Sequence, residues 1–174
     1  MTLRIFLAFA AQHKFFIHQI DVVMTFLNAA LPEVCFIKLP KVCGDPEGYV
    51  RPLLKALYGH IEAPNLWNKE WSLLMVELGF TQSKRDPCLW VHPDKSFFVV
   101  LYVDNSIIAA RTMHAINKLI YSLKSHFKLK ELGVLTQFLV MTVKYFQDQG
   151  VLLLNQDKYI FKLQQHFCQS SSFS

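Results

Sequence analysis

Seven consecutive apolar residues, Phe97 to Val103, run directly into Asp104-Asn105, and a second strand-like stretch, Ser106 to Ala110, follows at once. A run that short, rich in aromatic and β-branched side chains, reads as a strand with both faces buried rather than as a helix. The two polar residues between the stretches predict the tip of a tight hairpin, where Asp and Asn tolerate positive φ. A strand buried on both faces belongs in the middle of its sheet, so this hairpin predicts where the core lies. Cys88 to Val91, joined to Phe97 by a His-Pro-Asp-Lys-Ser turn, makes a hairpin with the same central strand.

Around that centre, periodicity places the other elements. Arg4 to His13 suits a short helix, and Phe15 to Ile20 a strand that runs into Asp21. Val34 to Leu39 is a further strand candidate, and the Pro- and Gly-containing stretch from Pro40 to Gly48 a surface loop. Trp67, Trp71, Leu74, Met75 and Leu78 fall on one face of an amphipathic helix that Pro64 opens and Gly79 closes. Met113, Ile116, Leu119, Ile120, Leu123 and Phe127 mark another. Leu135 to Phe146 reads as one long strand that turns at Asp148 to Gly150 into Val151 to Leu154. A last helix, Gln156 to Phe167, carries Tyr159, Ile160, Leu163 and Phe167 on one face. Strands joined by tight turns and interleaved with helices predict an α+β fold, an antiparallel sheet covered by helices on one face.

Composition narrows the class. With 52% hydrophobic and 18% charged residues among 174, disorder of the body is excluded and one domain is expected. Residues 1–167 are expected to form it, with a disordered tail over 168–174. No apolar run approaches the ~20 residues of a membrane span, so no membrane partner is expected. The net charge of +5 permits nucleic acid without requiring it, because the cations are scattered. The densest group, Lys118, Lys124, Lys128 and Lys130, suits the solvated side and end of a helix. Cys35, Cys43, Cys88 and Cys168 form no CxxC pair, which suits reduced, mostly buried thiols. The apolar run Ile5 to Ala11 is too short for a secretory signal, so an intracellular location is expected.

Two aspartates terminate apolar strands, Asp21 and Asp104. Taken singly, each is more simply a turn or cap residue. Taken together, carboxylates at the ends of adjacent strands can hold Mg²⁺, which takes one or two protein carboxylates besides substrate phosphates. Two such ions about 4 Å apart can serve phosphoryl transfer.

At these residues a resemblance enters. Gln19-Ile20-Asp21-Val22, Thr25-Phe26-Leu27-Asn28, Lys55-Ala56-Leu57-Tyr58-Gly59, Ala63-Pro64, Trp67, Tyr102-Val103-Asp104, Leu132-Gly133, Phe138-Leu139 and Gln156 with Lys158-Tyr159 together resemble, in order and spacing, the reverse transcriptase of copia-type retrotransposons. The resemblance implies a right-hand polymerase palm with part of the fingers. It implies catalytic positions at Asp21, Asp104 and Asn105, and Mg²⁺ (or Mn²⁺) held by Asp21, the Val22 carbonyl and Asp104. It further implies nucleotide or template contacts at Phe26, Gly59, Glu62 and Tyr102, and a primer region at Gln156, Lys158 and Tyr159. The implied partners are an RNA or DNA primer-template, a dNTP, and the thumb and RNase H portion of a longer Pol polyprotein.

The departures from that pattern cluster at the implied site. Asn105 stands where the family has a second aspartate, which removes one negative charge beside the metals. Val23, Ile61 and Asn65 replace cations and Glu62 a glutamine, and each lost cation removes a phosphate contact if it made one. Ala29 and Val140 replace glycines and are expected to strain turns that want positive φ. The chain is therefore expected to be a fragment inactive by itself. The alternative is a non-catalytic palm, domesticated or decayed, that binds nucleic acid or protein.

Overall fold

The computed structural model describes residues 2–44, 46 and 48–168. In chain order the elements are helix α1 (Thr2–Gln12), strands β1 (Phe16–Val22), β2 (Ala30–Ile37) and β3 (Arg51–Lys55), and helix α2 (Ala63–Glu77). Strands β4 (Thr81–Gln82), β5 (Leu89–Val91), β6 (Phe97–Tyr102) and β7 (Asn105–Ala110) follow, then helix α3 (Met113–Lys124). The chain continues through β8 (Leu129–Val134), β9 (Gln137–Phe138), β10 (Met141–Phe146) and β11 (Val151–Asn155) to helix α4 (Asp157–Cys168). The α+β class expected from the sequence is the one observed.

The main sheet has six strands in the order β4-β5-β6-β7-β1-β8, and every neighbouring pair is antiparallel. The apolar run is central as expected: β6 lies between β5 and β7, and Val99, Val100 and Leu101 are buried. Alternation along β6 and β7 feeds two separate cores. Val99, Leu101, Ile108 and Ala110 pack with Trp67 and Trp71 of α2 and with Ile116, Leu119, Ile120 and Leu123 of α3. Val100, Ile107 and Ala109 pack on the other side with Phe6, Leu7 and Ala10 of α1 and with Phe138 and Val143 of a small sheet, β11-β10-β9. The sheet is therefore covered on both faces, which corrects the expectation of one. A strand buried on both sides needs two covers, and α1 with the small sheet supplies the second.

The local signals act as read at several points. Pro64 opens α2, and Gly79, at φ +85, ends it. Thr112 caps α3 by accepting the Ala115 amide at 3.3 Å. Gly150, at φ +67, turns the chain into β11.

Other expectations fail. The stretch from Leu135 to Phe146 is a hairpin rather than one strand, with Leu139 at φ +55 at its turn. Of the two glycine replacements, Ala29 sits at an ordinary φ of −95, and positive φ falls on Leu139, not on Val140. Strand β8 was not foreseen. It is a sheet edge whose residues are mostly exposed, so it carries no apolar alternation.

The apolar face of α4 is not buried: Ile160, Phe161 and Phe167 are exposed. Cys35 and Cys88 are free and half-buried and Cys43 is free and exposed, which corrects the expectation of mostly buried thiols. Cys168 is the last residue of α4, and the rest of the expected tail lies outside the described residues. Among the described residues no helix is long and apolar enough to cross a membrane.

Candidate functional site

The β6–β7 turn is shifted by one residue from its expected place. Tyr102 pairs with Asn105, so the tip is Val103-Asp104 and Asn105 opens β7. Val103 carries the positive φ, +58. Positive φ at the first of two central residues is the pattern of a type II′ turn, which normally has glycine there. A β-branched side chain in that region is strained by about 1–2 kcal/mol.

The turn is tied down on both sides. The Asp104 carbonyl accepts the Val22 amide at 2.8 Å, which joins the tip to the end of β1. The Val103 carbonyl accepts the indole N–H of Trp67, on α2, at 2.8 Å. Asp21 therefore lies one residue from the backbone bond to Asp104. In the sheet register it is the partner of Asn105 on one side and of Lys130 on the other.

The side chains close a polar chain at this end of the sheet. Gln19, two residues before Asp21 and only 8% exposed, donates through Nε2 to Asn105 Oδ1 at 3.2 Å. Asn105 in turn donates through Nδ2 to Asp104 Oδ1 at 2.9 Å. Lys130 Nζ lies 3.9 Å from Asp21 Oδ2. An aspartate at position 105 has no donor to give, so the link to Asp104 exists because the residue is an amide. The Val22 carbonyl accepts the Thr25 hydroxyl at 3.0 Å. Gln19 and Asn105 open onto a cleft of about 430 Å³ that Leu132, Thr136, Gln137 and Leu139 complete.

Of the residues singled out from the sequence, Asp21, Val22, Asp104 and Asn105 come together, with Tyr102 half-exposed beside them on β6. Phe26 sits in a 3₁₀ turn, Thr25–Asn28, buried in the α2–α3 core with its ring 4.6 Å from that of Tyr58. Gly59, at φ +95 with open space where a Cβ would lie, precedes α2, and Glu62 occupies the exposed position before that helix. Gln156, Lys158 and Tyr159 lie apart, at the start of α4, where the Gln156 carbonyl accepts the amides of Tyr159 and Ile160 at 2.9 Å. Gln19 and Lys130 were missed. The same-face spacing of Gln19 and Asp21 on one strand was the available signal for the first. Lys130, expected with Lys128 at the solvated end of a helix, instead stands on β8, an edge strand without apolar alternation.

Among the described residues no group of three or more His, Cys, Asp or Glu converges in a metal-holding arrangement. The backbones of Asp21 and Asp104 are brought to one end of the sheet, and a pair of carboxylates suits an ion that takes only one or two protein carboxylates.

Comparison with known proteins gives a consistent result. The sequence model of a family described as Reverse transcriptase (RNA-dependent DNA polymerase) matches residues 1–173. The chain is 30% identical over 172 residues to the Retrovirus-related Pol polyprotein from transposon TNT 1-94 of Nicotiana tabacum, covering 95% of this chain and 13% of the polyprotein. It is 30% identical over 166 residues to the corresponding polyprotein from transposon RE1 of Arabidopsis thaliana, covering 93% of this chain and 11% of the relative. Over 125 residues it is 26% identical to the Transposon Ty1-DR5 Gag-Pol polyprotein of Saccharomyces cerevisiae, covering 71% of this chain and 7% of that protein. The chain thus spans a small part of the length of each of these three relatives.

Proposed function

We propose a function from one premise: the chain belongs to the reverse transcriptase (RNA-dependent DNA polymerase) family. The six-stranded sheet with α2 and α3 is read as a polymerase palm, and the β2–β3 ribbon with the Gly59 to Glu62 stretch as part of the fingers. Asp21 and Asp104 are the metal-binding pair of a nucleotidyl-transfer site, with the Val22 carbonyl beside them. The observation that supports this reading is the 2.8 Å backbone bond from Val22 to Asp104, which ties the hairpin tip carrying Asp104 to the end of β1 beside Asp21.

Mg²⁺ or Mn²⁺ held there would supply the Lewis-acid charge for attack on a dNTP. The protein's own part is to orient the two carboxylates and to keep their charge available. Asn105 works against the latter, because it occupies an oxygen of Asp104 and contributes no charge of its own. The reading is therefore of a palm that retains the place for the metals but binds them weakly, and that does not extend primers by itself. Partners in this reading are a primer-template held weakly and the remainder of a longer polyprotein.

The alternative, a non-catalytic binding module, is favoured by the same hydrogen bond, because a site satisfied internally has less need of an ion. Mn²⁺ titration of the wild type, Asp21→Asn and Asp104→Asn, together with Mg²⁺-dependent extension on an RNA template, separates the two. Weak Mn²⁺ binding that both substitutions abolish, with no robust extension, is expected. Binding indifferent to both substitutions would leave the module reading in possession.

A further inference from the structure

Two tryptophans lie one turn apart on α2, both buried, and they differ in one respect. The Trp67 indole N–H donates to the Val103 carbonyl, whereas the Trp71 indole nitrogen is buried with no hydrogen-bond partner among the described residues. We infer that Trp67 is a positioning residue for Asp104, its N–H holding the strained hairpin tip in the left-handed turn that keeps Asp104 beside Asp21.

Val103 at φ +58 is a β-branched residue in a region that L side chains rarely adopt, so the tip does not choose this conformation by itself. Something outside the turn has to impose it. Two successive carbonyls are fixed: that of Val103 by Trp67 on α2, and that of Asp104 by the Val22 amide on β1. Fixing both fixes the planes of the peptides on either side of Asp104, and so the direction in which its side chain leaves the backbone. The donor itself cannot swing. Trp67 is 2% exposed, its ring lies 5.7 Å from Trp71 and 5.1 Å from Phe127, and α2 is anchored by buried Ala63, Leu74 and Met75.

The inference rests on the proposed function only in taking Asp104 as a site residue, since the clamp is a statement about the backbone. Amide hydrogen exchange on the full chain tests it with Trp67→Phe, Trp71→Phe and the double variant Trp67→Phe/Val103→Gly. Trp67→Phe is expected to speed exchange at Val22 and Asn105 at least tenfold relative to Val99 and Ile108 in the middle of the sheet. Trp71→Phe, which removes the same ring volume from the same core but a donor that makes no bond there, is expected to leave the difference between the two sets within about twofold. Glycine adopts positive φ without steric penalty, so Val103→Gly is expected to return Val22 and Asn105 in the double variant to near their original rates.

An equal acceleration at all four amides, the same pattern from Trp71→Phe, or a failed rescue would overturn the clamp. If Trp67→Phe does not fold alone, folding of the double variant supports the clamp and its failure to fold overturns it. Affinity for Mn²⁺ alone, measured in the same proteins, is expected to fall at least fivefold in Trp67→Phe and to recover in the double variant. Unchanged affinity would refute the positioning of the carboxylate. If the wild type binds no Mn²⁺, the proposed function fails, and the exchange pattern still decides the clamp.

Discussion

Strands β6 and β7 send alternate side chains into two cores and leave Val99, Val100, Leu101, Ile107 and Ile108 buried, whereas β2 and β3 form a separate two-stranded sheet and leave Val34, Phe36 and Leu54 in solvent. Both regions lie inside the span that matches one family. In the first, these five side chains have neighbours on all sides, so replacement is felt as lost packing. In the second, and in the Gly59 to Glu62 stretch that follows it, few neighbours exist to object. Ile61, 93% exposed where the family resemblance implies a cation, is the clearest instance. On the proposed function, the folding requirement and the binding requirement act on different residues in these two regions, so one can drift while the other is kept.

The largest expected effect tests that division directly. Ile108→Ala, at a fully buried position shared by the sheet and the α2–α3 core, should lose about 2–5 kcal/mol of unfolding free energy in urea. Phe36→Ala and Ile61→Ala should stay within about 0.5 kcal/mol. A loss at Phe36 as large as that at Ile108 would show that the ribbon is packed in solution and that the contrast between the regions does not hold.

Between core and ribbon stands the site, where the same residue serves both requirements. Asn105 donates to Asp104 and accepts from Gln19, and it faces Asp21 across the sheet. Asn105→Asp removes that donor and sets like charges opposite each other, which should cost about 1–2 kcal/mol without a divalent ion. Millimolar Mn²⁺ should restore the loss, with an affinity on the order of tenfold tighter than the wild type, or ~1.4 kcal/mol. Thermal melts with and without the ion measure both. An Asn105→Asp protein that is destabilised yet gains no affinity would mean that the carboxylates do not share a site.

The third effect belongs to the ribbon side alone. Ile61→Lys with Asn65→Arg, both at exposed positions near the start of α2, should leave stability within about 0.5 kcal/mol. Each substitution should steepen the salt dependence of primer-template binding by about one unit of slope if it restores a phosphate contact. An unchanged slope would remove this stretch from the proposed nucleic-acid surface and sharpen the division in favour of the core.

What the sequence allowed to be read follows the same line. The central hairpin, α2 and α3 were legible because burial imposes a period, and the period survives in the residue types. Strand β8 was not, since an exposed edge such as Lys130 to Leu132 needs no apolar alternation. The turn at Leu139 carries none of the usual turn residues, because packing of Phe138 and Val143 under the main sheet holds the hairpin instead. The tip of the β6–β7 hairpin was misplaced by one residue for a related reason: Asp-Asn is the better turn pair by propensity, and a hydrogen bond from Trp67 overrides it. Asp21 and Asp104 were legible as strand-end carboxylates. Their neighbours Gln19 and Lys130 become visible only once the register is known.

The smallest expected effect lies inside the better-kept region, at His18 on β1. Its partners across the sheet are Ile108 and Val134, and its Nδ1 is buried with no hydrogen-bond partner among the described residues. Burial lowers its pKa below 6.5, and the nearby Glu131 carboxylate offsets part of that shift. The folded state therefore binds this proton less readily than the unfolded state, whose histidine stays near 6.5. Stability from this group is complete above that value, declines as the pH falls through it, and levels off below the lowered folded pKa. His18→Leu should flatten the stretch between about pH 7 and pH 5 in a series of urea midpoints. Asp94 cannot mimic the effect: the Ser96 amide holds its pKa at about 2, so its contribution is lost only in stronger acid. If the slope survives His18→Leu, the acid sensitivity originates outside the central sheet, and that sheet is even less dependent on charge than its contrast with the ribbon implies.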